Sequence, residues 1–421
     1  MSASPLPPPV DGKALVLSGG GSLGAYQVGV LQALAQGLSR GNGHQPFDPP
    51  LIVGTSAGAF NAAFLVAQGD VPFPLAVDRL KDFWLQRIAD HGQGNGVFRY
   101  RLDPTDYFRE LARSPARASA RLLNDLRSVA ESYLKRLRWP SRRQRSPLEI
   151  VSRLLELSPL VSPEPLWHSI QSTIDFDRLR SSPRRLVVTA MTWPSFELHE
   201  FDGREPLWRR EGACILLAAT AIPGVFPPIT VNRQCLADSS VLANTPIGPA
   251  INAQARDLHL VSPMVLPWQR FGRRDSFSSI STLYGLVTGS FAGPSFMSLR
   301  DIAFLDQHPA PNERPPRDQH QPPGRLRTAH LRDLDVKLYL PSGCPGHQIW
   351  QLLDFRHERI ARLIDQGFRD ATEQRRFSPS EILPSLDSGG LFVPCLGTTS
   401  PYAPWPSHPS AAPSIDGAGA A

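Results

Sequence analysis

The sequence has few cysteines, and they are not arranged to build a metal site or a disulfide framework. Cys214, Cys235, Cys344 and Cys395 are the only four in 421 residues, and none forms a CxxC pair or joins a histidine cluster. Zinc proteins and small disulfide-stapled secreted domains carry denser patterns than this. We therefore expect no zinc site, no disulfide scaffold and a reducing compartment. We also expect no other metal and no cofactor.

Long hydrophobic runs are also missing. No stretch of about 18 apolar residues is present that could cross a bilayer as a helix. The first residues, MSASPLPPPVDGKALVLSGG, lack the basic start and the apolar centre of a secretory signal. These absences predict a cytoplasmic protein and leave peripheral attachment to a membrane open.

Charged residues are sparse at 19%, whereas hydrophobic residues make up 41% and proline occurs 43 times. The apolar fraction is sufficient for a large core. The proline excess predicts a disordered lead at residues 1–10, a Pro-rich loop at 309–323 and a disordered tail at 376–421. One folded domain is then expected over residues 11–375.

A repeated strand, glycine turn and helix indicates the fold class. Apolar runs at residues 13–17 and 51–53 each end in a glycine turn, and residues 24–38 and 57–68 follow with helical spacing. This order predicts an α/β fold with a mostly parallel central sheet flanked by helices. Further strands are predicted at 185–192, 196–201, 257–262 and 336–340, further helices at 212–221 and 349–371, and a helical insertion at about 100–183.

The first glycine turn, residues 18–24 (SGGGSLG), admits three interpretations. Its N–H groups could converge at a helix N-terminus on a phosphate, or on the oxyanion of an acyl-transfer intermediate. The spacing Gly19-x-Gly21-x-x-Gly24 also matches the dinucleotide fingerprint, but the acidic residue expected about twenty positions later, at the end of the second strand, is missing. The third interpretation is a turn that only lets helix and strand pack closely.

The second glycine turn, Gly54-Thr55-Ser56-Ala57-Gly58, matches the G-x-S-x-G elbow. It leaves an apolar strand and opens a helix, which is the context in which this motif presents a nucleophilic serine. A nucleophile and an oxyanion hole require each other, so the glycine turn about 35 residues earlier supports this interpretation.

A serine nucleophile needs a base. The late histidines, His308, His320, His330, His347 and His357, lie in or near the Pro-rich loop or on a charged helix face, and none follows a strand into a turn. Asp238 instead leaves a short strand-like run among small and apolar residues, which suits a partly buried base. A carboxylate that only caps backbone groups in an Asx-turn is the alternative.

The chain resembles the patatin-like phospholipases, in particular the bacterial-type members. The resemblance covers roughly residues 13–265 and rests on four segments in the family's order: 17–31 (LSGGGSLGAYQVGVL), 54–59 (GTSAGA), 218–228 (AATAIPGVFPP), and 236–238 (LAD) with 244–247 (NTPI). It implies the patatin fold and hydrolysis of acyl esters in lipids, as a phospholipase A or carboxylic ester hydrolase, without a metal.

The resemblance also implies a Ser–Asp dyad without histidine. Ser56 matches the nucleophile and Asp238 the base, while the oxyanion loop maps onto Gly19, Gly20, Gly21 and Gly24. Two positions depart from the family pattern: Leu23 stands where an Arg or Lys is usual, and Ser239 where a Gly or Ala follows the Asp. A weak or inactive regulatory member is therefore one alternative, and a nucleotide-binding module without hydrolysis is another.

The net charge of +6 is concentrated in one segment. Residues 111–148 hold nine Arg and Lys135 against Asp125 and Glu131, so this segment carries +8 and the rest of the chain −2. Leu122, Leu126, Val129, Tyr133 and Leu137 recur there at helical spacing. A basic amphipathic helix suits an anionic membrane surface, and a surface helix packed on the core is the alternative. No nucleic-acid recognition motif accompanies the charge.

Overall fold

The computed structural model describes residues 12–92, 94–138, 158–263, 334–342 and 349–373. The predicted lead, Pro-rich loop and tail lie outside these residues, as does the part of the basic segment from residue 139 onward.

Within the described residues, an eight-stranded sheet forms the centre of the molecule and a two-stranded ribbon lies apart from it. The strands are β1 (Lys13–Leu17), β2 (Leu51–Thr55), β3 (Arg99–Tyr100), β4 (Val161–Ser162), β5 (Arg185–Thr192), β6 (Leu198–Asp202), β7 (Ile229–Val231), β8 (Gln234–Ala237), β9 (Asp257–Val261) and β10 (Asp335–Tyr339). Strands β10, β9, β1, β2 and β5 are parallel neighbours in that order. The antiparallel strands β6, β7 and β8 continue the sheet, and β3 pairs with β4.

The parallel strands form because both of their faces are covered. In β1 and β2, side chains alternate between two apolar layers. Leu15, Leu17 and Ile52 belong to the larger layer, whereas Val16 and Val53 belong to the smaller one on the other face of the sheet. Continuous apolar runs therefore gave the correct prediction for these strands.

Eleven helices of the described residues surround the sheet. They are α1 (Gly24–Ala35), α2 (Ala57–Ala67), α3 (Phe73–Phe83), α4 (Pro104–Arg113), α5 (Pro115–Arg138), α6 (Glu164–Thr173), α7 (Phe176–Ser181), α8 (Leu207–Ala219), α9 (Ser240–Ala243), α10 (Ile247–Asn252) and α11 (His357–Glu373). A π-helical turn, Trp84–Ile88, continues α3. None of these helices combines the length and the apolar character needed to cross a membrane.

The predicted class, a mostly parallel sheet flanked by helices, is confirmed. The prediction of one helix over 349–371 is wrong at its start, because Ile349–Leu353 forms a 3-10 turn and α11 begins only at His357. The short hairpin of β7 and β8 was not predicted as a pair of strands, because three or four residues are too few to show a period.

Helix α11 crosses α1 with the two backbones in contact. Every residue of α1 is buried. A Cβ at Gly29 of α1 would collide with the Ile364 carbonyl oxygen, and a Cβ at Gly367 of α11 would collide with the Tyr26 carbonyl oxygen. The crossing therefore needs glycine on both helices. It packs α11, the last helix of the described residues, against α1, which follows the first glycine turn.

We expect Gly367→Ala to destabilise the protein by about 1–3 kcal/mol, because the added methyl group overpacks the crossing. Thermal unfolding followed by circular dichroism measures this as a lower Tm. Gly248→Ala in α10 is the matched control, since a Cβ there meets no atom within 4 Å. A Tm for Gly367→Ala equal to that of the control would contradict the close crossing.

Candidate active site

Strands β2 and β8 lie end to end along one edge of β5. Met191 of β5 pairs with both β6 and β8, so these two strands occupy opposite edges of β5. Val187 pairs with both β2 and β6, so β2 lies on the edge that β8 also uses. Because β2 is parallel to β5 and β8 is antiparallel, the two strands run towards each other and their carboxyl ends meet.

This meeting point brings Ser56 and Asp238 together. The last pair of β2 with β5 involves Thr189, and the last pair of β8 with β5 involves Met191. Ser56 follows β2 and Asp238 follows β8, so both residues fall at the level of Ala190, the one β5 residue in between. Both side chains are buried, with Ser56 at 3% and Asp238 at 0% exposure.

Ser56 occupies a strained turn between β2 and α2. Its φ of 55° and ψ of −126° belong to a region that residues with a side chain rarely adopt. A Cβ at Gly54 would lie 2.6 Å from the Gly58 carbonyl carbon, and one at Gly58 would lie 2.7 Å from the Ser18 carbonyl oxygen. The two glycines flanking Ser56 therefore permit a turn that also abuts the end of β1.

Asp238 sits in a dry environment with one oxygen engaged. Its Oδ1 accepts the N–H of Ser240 at 2.8 Å, and its own N–H donates to the Ala221 carbonyl oxygen at 3.0 Å. Oδ2 is buried and forms no hydrogen bond of good geometry with a described residue. The Ser56 hydroxyl is close enough to this carboxyl to favour its charged form.

The pKa of Asp238 is raised from 3.8 to about 6 because burial disfavours the charged carboxylate. The Ser56 hydroxyl and the Ser240 N–H and hydroxyl act in the opposite direction and only partly offset the burial. A carboxyl with this pKa can accept a proton near neutral pH and return it, as a general base and acid must.

The backbone N–H groups of the glycine turn differ in whether they already have an acceptor. Gly19 N–H donates to the Asn244 carbonyl oxygen at 3.0 Å, and Gly24 N–H donates within the 3-10 turn that precedes α1. The N–H groups of Gly20 and Gly21 have no acceptor among the described residues. An anion at this turn would thus be held by Gly20 and Gly21, whereas the role expected of Gly19 and Gly24 would require breaking the bonds that they make here.

Gly19 and Gly24 also permit close packing. A Cβ at Gly19 would lie 2.5 Å from Asn244 Oδ1 and 3.0 Å from Ser56 Cβ. A Cβ at Gly24 would lie 2.9 Å from Ala57 Cβ. The two glycines therefore bring the turn against the Ser56 elbow.

A buried amide network holds both ends of the glycine turn. Trp84 Nε1 donates to Asn61 Oδ1 at 2.8 Å, and Asn61 Nδ2 donates to Gln27 Oε1 and to the Gly24 carbonyl oxygen. Gln27 Nε2 donates to the Ser18 carbonyl oxygen at 2.6 Å. Sequence reasoning missed this network, although the amides Gln27 and Asn61 inside the mostly apolar α1 and α2 were its signal.

An apolar pocket opens at Ser56. The cavity itself is about 50 Å³, and the empty space that includes open solvent at its mouth is about 470 Å³. Its lining contains Gly21, Ser56 and Thr220; the other lining side chains are apolar, and none is charged. The apolar members of the lining are Ala57, Phe60, Trp84, Ile88, Val97, Leu166, Ile222, Phe226, Leu353 and Phe355. Such a lining suits a hydrocarbon chain rather than a nucleotide.

Of the late histidines, His357 is the one that lies among the described residues, and it does not line this pocket. His357 lies at the start of α11, its ring centroid 4.5 Å from that of His91. His308, His320, His330 and His347 lie outside the described residues. Within the described part of the chain, no group of three or more His, Cys, Asp or Glu residues could hold a metal ion.

The two departures from the family pattern have ordinary local structure. Leu23 is fully buried in the larger apolar layer, so this position is packed where the family carries a cation. Ser239 has φ −84° and ψ 3°, a conformation open to any residue, so its Cβ adds no backbone strain beside Asp238.

Comparison with known proteins identifies one family. The model of the patatin-like phospholipases matches residues 15–251, more than half of the chain. Among solved structures, VipD from Legionella pneumophila is similar, with a TM-score of 0.36 and 16% sequence identity over 86% of this chain and 66% of VipD. The chain thus spans slightly less than two thirds of the length of that structure. No curated protein matches the chain.

We expect Asp238→Asn to stabilise the protein above about pH 7. A folded-state pKa of about 6 in place of 3.8 means that ionising the buried carboxyl opposes folding by about 3 kcal/mol at most. The native stability linked to this group is present below about pH 4 and is lost as the pH rises through 6. Denaturant unfolding should show the variant to be more stable at pH 8 and equal at pH 4. A variant less stable at pH 8 would contradict the buried, unpaired carboxylate.

Proposed function

The chain belongs to the patatin-like phospholipase family, and on this premise we propose that it hydrolyses acyl esters of lipids with Ser56 and Asp238. The observation that supports this most is the meeting of β2 and β8 on one edge of β5. It sets a serine in a strained turn beside a buried carboxyl whose pKa is about 6. An apolar pocket opens at the same serine.

In this proposal the reaction proceeds through an acyl-enzyme. Ser56 Oγ attacks the ester carbonyl carbon while its proton passes to Asp238, and the N–H groups of Gly20 and Gly21 stabilise the oxyanion. Collapse of the tetrahedral intermediate breaks the ester C–O bond, and Asp238 returns the proton to the leaving alcohol. Water then attacks the acyl-enzyme and gives a proton to Asp238. Asp238 passes this proton to Ser56 Oγ as the acyl C–O bond breaks, which releases the fatty acid and free Ser56.

The geometry favours hydrolysis over the two alternatives. For a nucleotide-binding module, the acid that would hold a ribose is missing at the end of β2, where Thr55 and Ser56 stand instead. For a weak or inactive member, the concern is Ser239, but its backbone conformation imposes no glycine requirement. We therefore propose an active enzyme.

We expect a fluorophosphonate probe to label the wild-type protein at Ser56, because only an activated serine reacts with such a probe. Ser56→Ala should be unlabelled and should not hydrolyse short-chain nitrophenyl esters. Asp238→Asn should slow both reactions by about 100- to 10,000-fold, the usual contribution of a positioned base. In-gel fluorescence and ester turnover measure these effects. Undiminished turnover by Ser56→Ala would overturn the assignment.

We also propose that the protein contacts anionic membranes through residues 111–148, and the structure offers a face for this contact. Helix α5 turns Asp125 inward, where its carboxylate is 5% exposed and accepts two hydrogen bonds from Arg99 at 2.7 and 2.9 Å. Leu123 and Leu126 face outward with exposures of 68% and 47%. The helix is thus anchored to the body by an ion pair, and its leucines remain available to a lipid surface.

Helix α5 is tied to a residue close in sequence to the pocket lining, and its segment is basic. Arg99, which holds Asp125, is two residues from Val97 of the pocket lining. Phe108 on the neighbouring α4 is 65% exposed. The +8 charge of residues 111–148 complements anionic lipid, to which each well-placed cation contributes about 1 kcal/mol.

Replacing both leucines (Leu123→Ser with Leu126→Ser) should lower binding to phosphatidylglycerol vesicles about a hundredfold or more, because each buried leucine contributes about 1.5–3 kcal/mol. Turnover of water-soluble esters should stay the same. Sedimentation with vesicles measures the binding, with phosphatidylcholine vesicles as the neutral comparison. Leu38→Ser, a 43% exposed leucine just beyond α1, is the matched control. Unchanged vesicle binding would assign α5 to an ordinary surface helix.

A further inference from the structure

Residues 238–245, here called the closing segment, lie across the carboxyl ends of β1, β2 and β5. At β1, the Ser18 and Thr245 hydroxyls are 2.7 Å apart, and Gly19 N–H donates to the Asn244 carbonyl oxygen. At β2, the Thr55 hydroxyl donates to the Ala243 carbonyl oxygen at 3.1 Å. The closing segment therefore carries Asp238 and is fastened to each of the strands around Ser56.

At β5 the fastening is a chain of three buried hydroxyls. The Ser239 hydroxyl donates to Thr189 Oγ1 at 2.9 Å, and Thr189 Oγ1 lies 2.5 Å from Thr55 Oγ1. All three residues have 0% exposure. Each hydroxyl has one proton. The Thr55 hydroxyl donates its proton to the Ala243 carbonyl oxygen. The Thr189 hydroxyl must therefore be the donor to Thr55 Oγ1. Each of the three hydroxyl protons then has an acceptor.

The three hydroxyls connect the two residues that flank the proposed dyad. Thr55 precedes Ser56, Ser239 follows Asp238, and Thr189 lies next to Ala190, at whose level the dyad meets. One shared hydroxyl therefore supports the position of the carboxyl relative to the serine, in addition to the backbone hydrogen bonds at Asp238. No other side-chain hydrogen bond of the described residues connects the immediate neighbours of Ser56 and Asp238.

We propose that Ser239 and Thr189 are positioning residues that hold Asp238 against Ser56, an inference that rests on the proposed function. Both are buried, so they act through Asp238 rather than on the lipid. A glycine at 239 would have no hydroxyl to donate and a freer backbone. The serine at this position thus replaces conformational freedom with a fixed hydrogen bond, and its presence favours activity.

The test is a kinetic comparison of Ser239→Ala and Thr189→Val with the wild type on a soluble ester. Because the carboxyl would be held less firmly, kcat should fall about tenfold in each variant with KM unchanged. The double variant should be no slower than Thr189→Val alone, since that change already removes the acceptor of Ser239. Thr189→Ser keeps the hydroxyl and should restore kcat.

The pH profile separates positioning from a general loss of structure. A loosened carboxyl gains access to water, so the acidic limb of kcat/KM should move below its wild-type position near pH 6, towards the ordinary 3.8 of an aspartate. Ser39→Ala is the matched control, because Ser39 is also fully buried and lies between α1 and β2, away from the site. It should leave the rate and the profile unchanged.

Two results would overturn the proposal while leaving the proposed function intact. One is a Ser239→Ala enzyme within twofold of the wild-type kcat. The other is a loss of rate in which Tm falls but the acidic limb stays in place, because that describes a structural role only. A wild type that neither reacts with the fluorophosphonate nor hydrolyses esters would overturn the proposed function and this proposal with it.

Discussion

Strand β5 is the part on which the site depends, because one of its edges receives both β2 and β8. That arrangement requires β6 on the opposite edge, and it fixes Ser56 and Asp238 at the level of Ala190. A shift of one residue in either register would turn the side chain to the other face of the sheet. The Thr189 hydroxyl joins the two strand ends, so register and side-chain hydrogen bonding act on the same geometry.

Strand register also explains why glycines stand in the first glycine turn. Strand β1 runs beside β2 with Leu17 opposite Gly54, which brings Gly19 level with Ser56. The backbone of one turn then approaches the side chain of the other so closely that only a residue without a Cβ fits. Gly19 and Gly24 have backbone partners, whereas the N–H groups of Gly20 and Gly21 have none among the described residues. Packing and proposed anion binding are divided among the four glycines.

Much of the site was predictable from the sequence, and the reason is local. The elbow around Ser56 and the glycine turn depend on neighbouring residues only, and the parallel strands on continuous apolar runs. The meeting of Ser56 with Asp238 depends on the pairing of distant strands, which no local period records; only the family resemblance suggested it. Periodicity likewise indicated an amphipathic α5, but not that Asp125 would turn inward, because its partner Arg99 lies on β3.

Ser239 shows what a sequence alone cannot decide. The family usually has Gly or Ala after the aspartate. A serine Cβ there would strain the backbone and displace the carboxyl if the position needed a glycine conformation. The backbone has φ −84°, so the methylene is harmless and the hydroxyl finds Thr189. Burial raises the pKa of Asp238. Burial also makes the Ser239–Thr189 hydrogen bond important for stability, since a buried hydroxyl without a partner would destabilise the fold. A departure from the pattern thus strengthens the attachment of the residue it was expected to disturb.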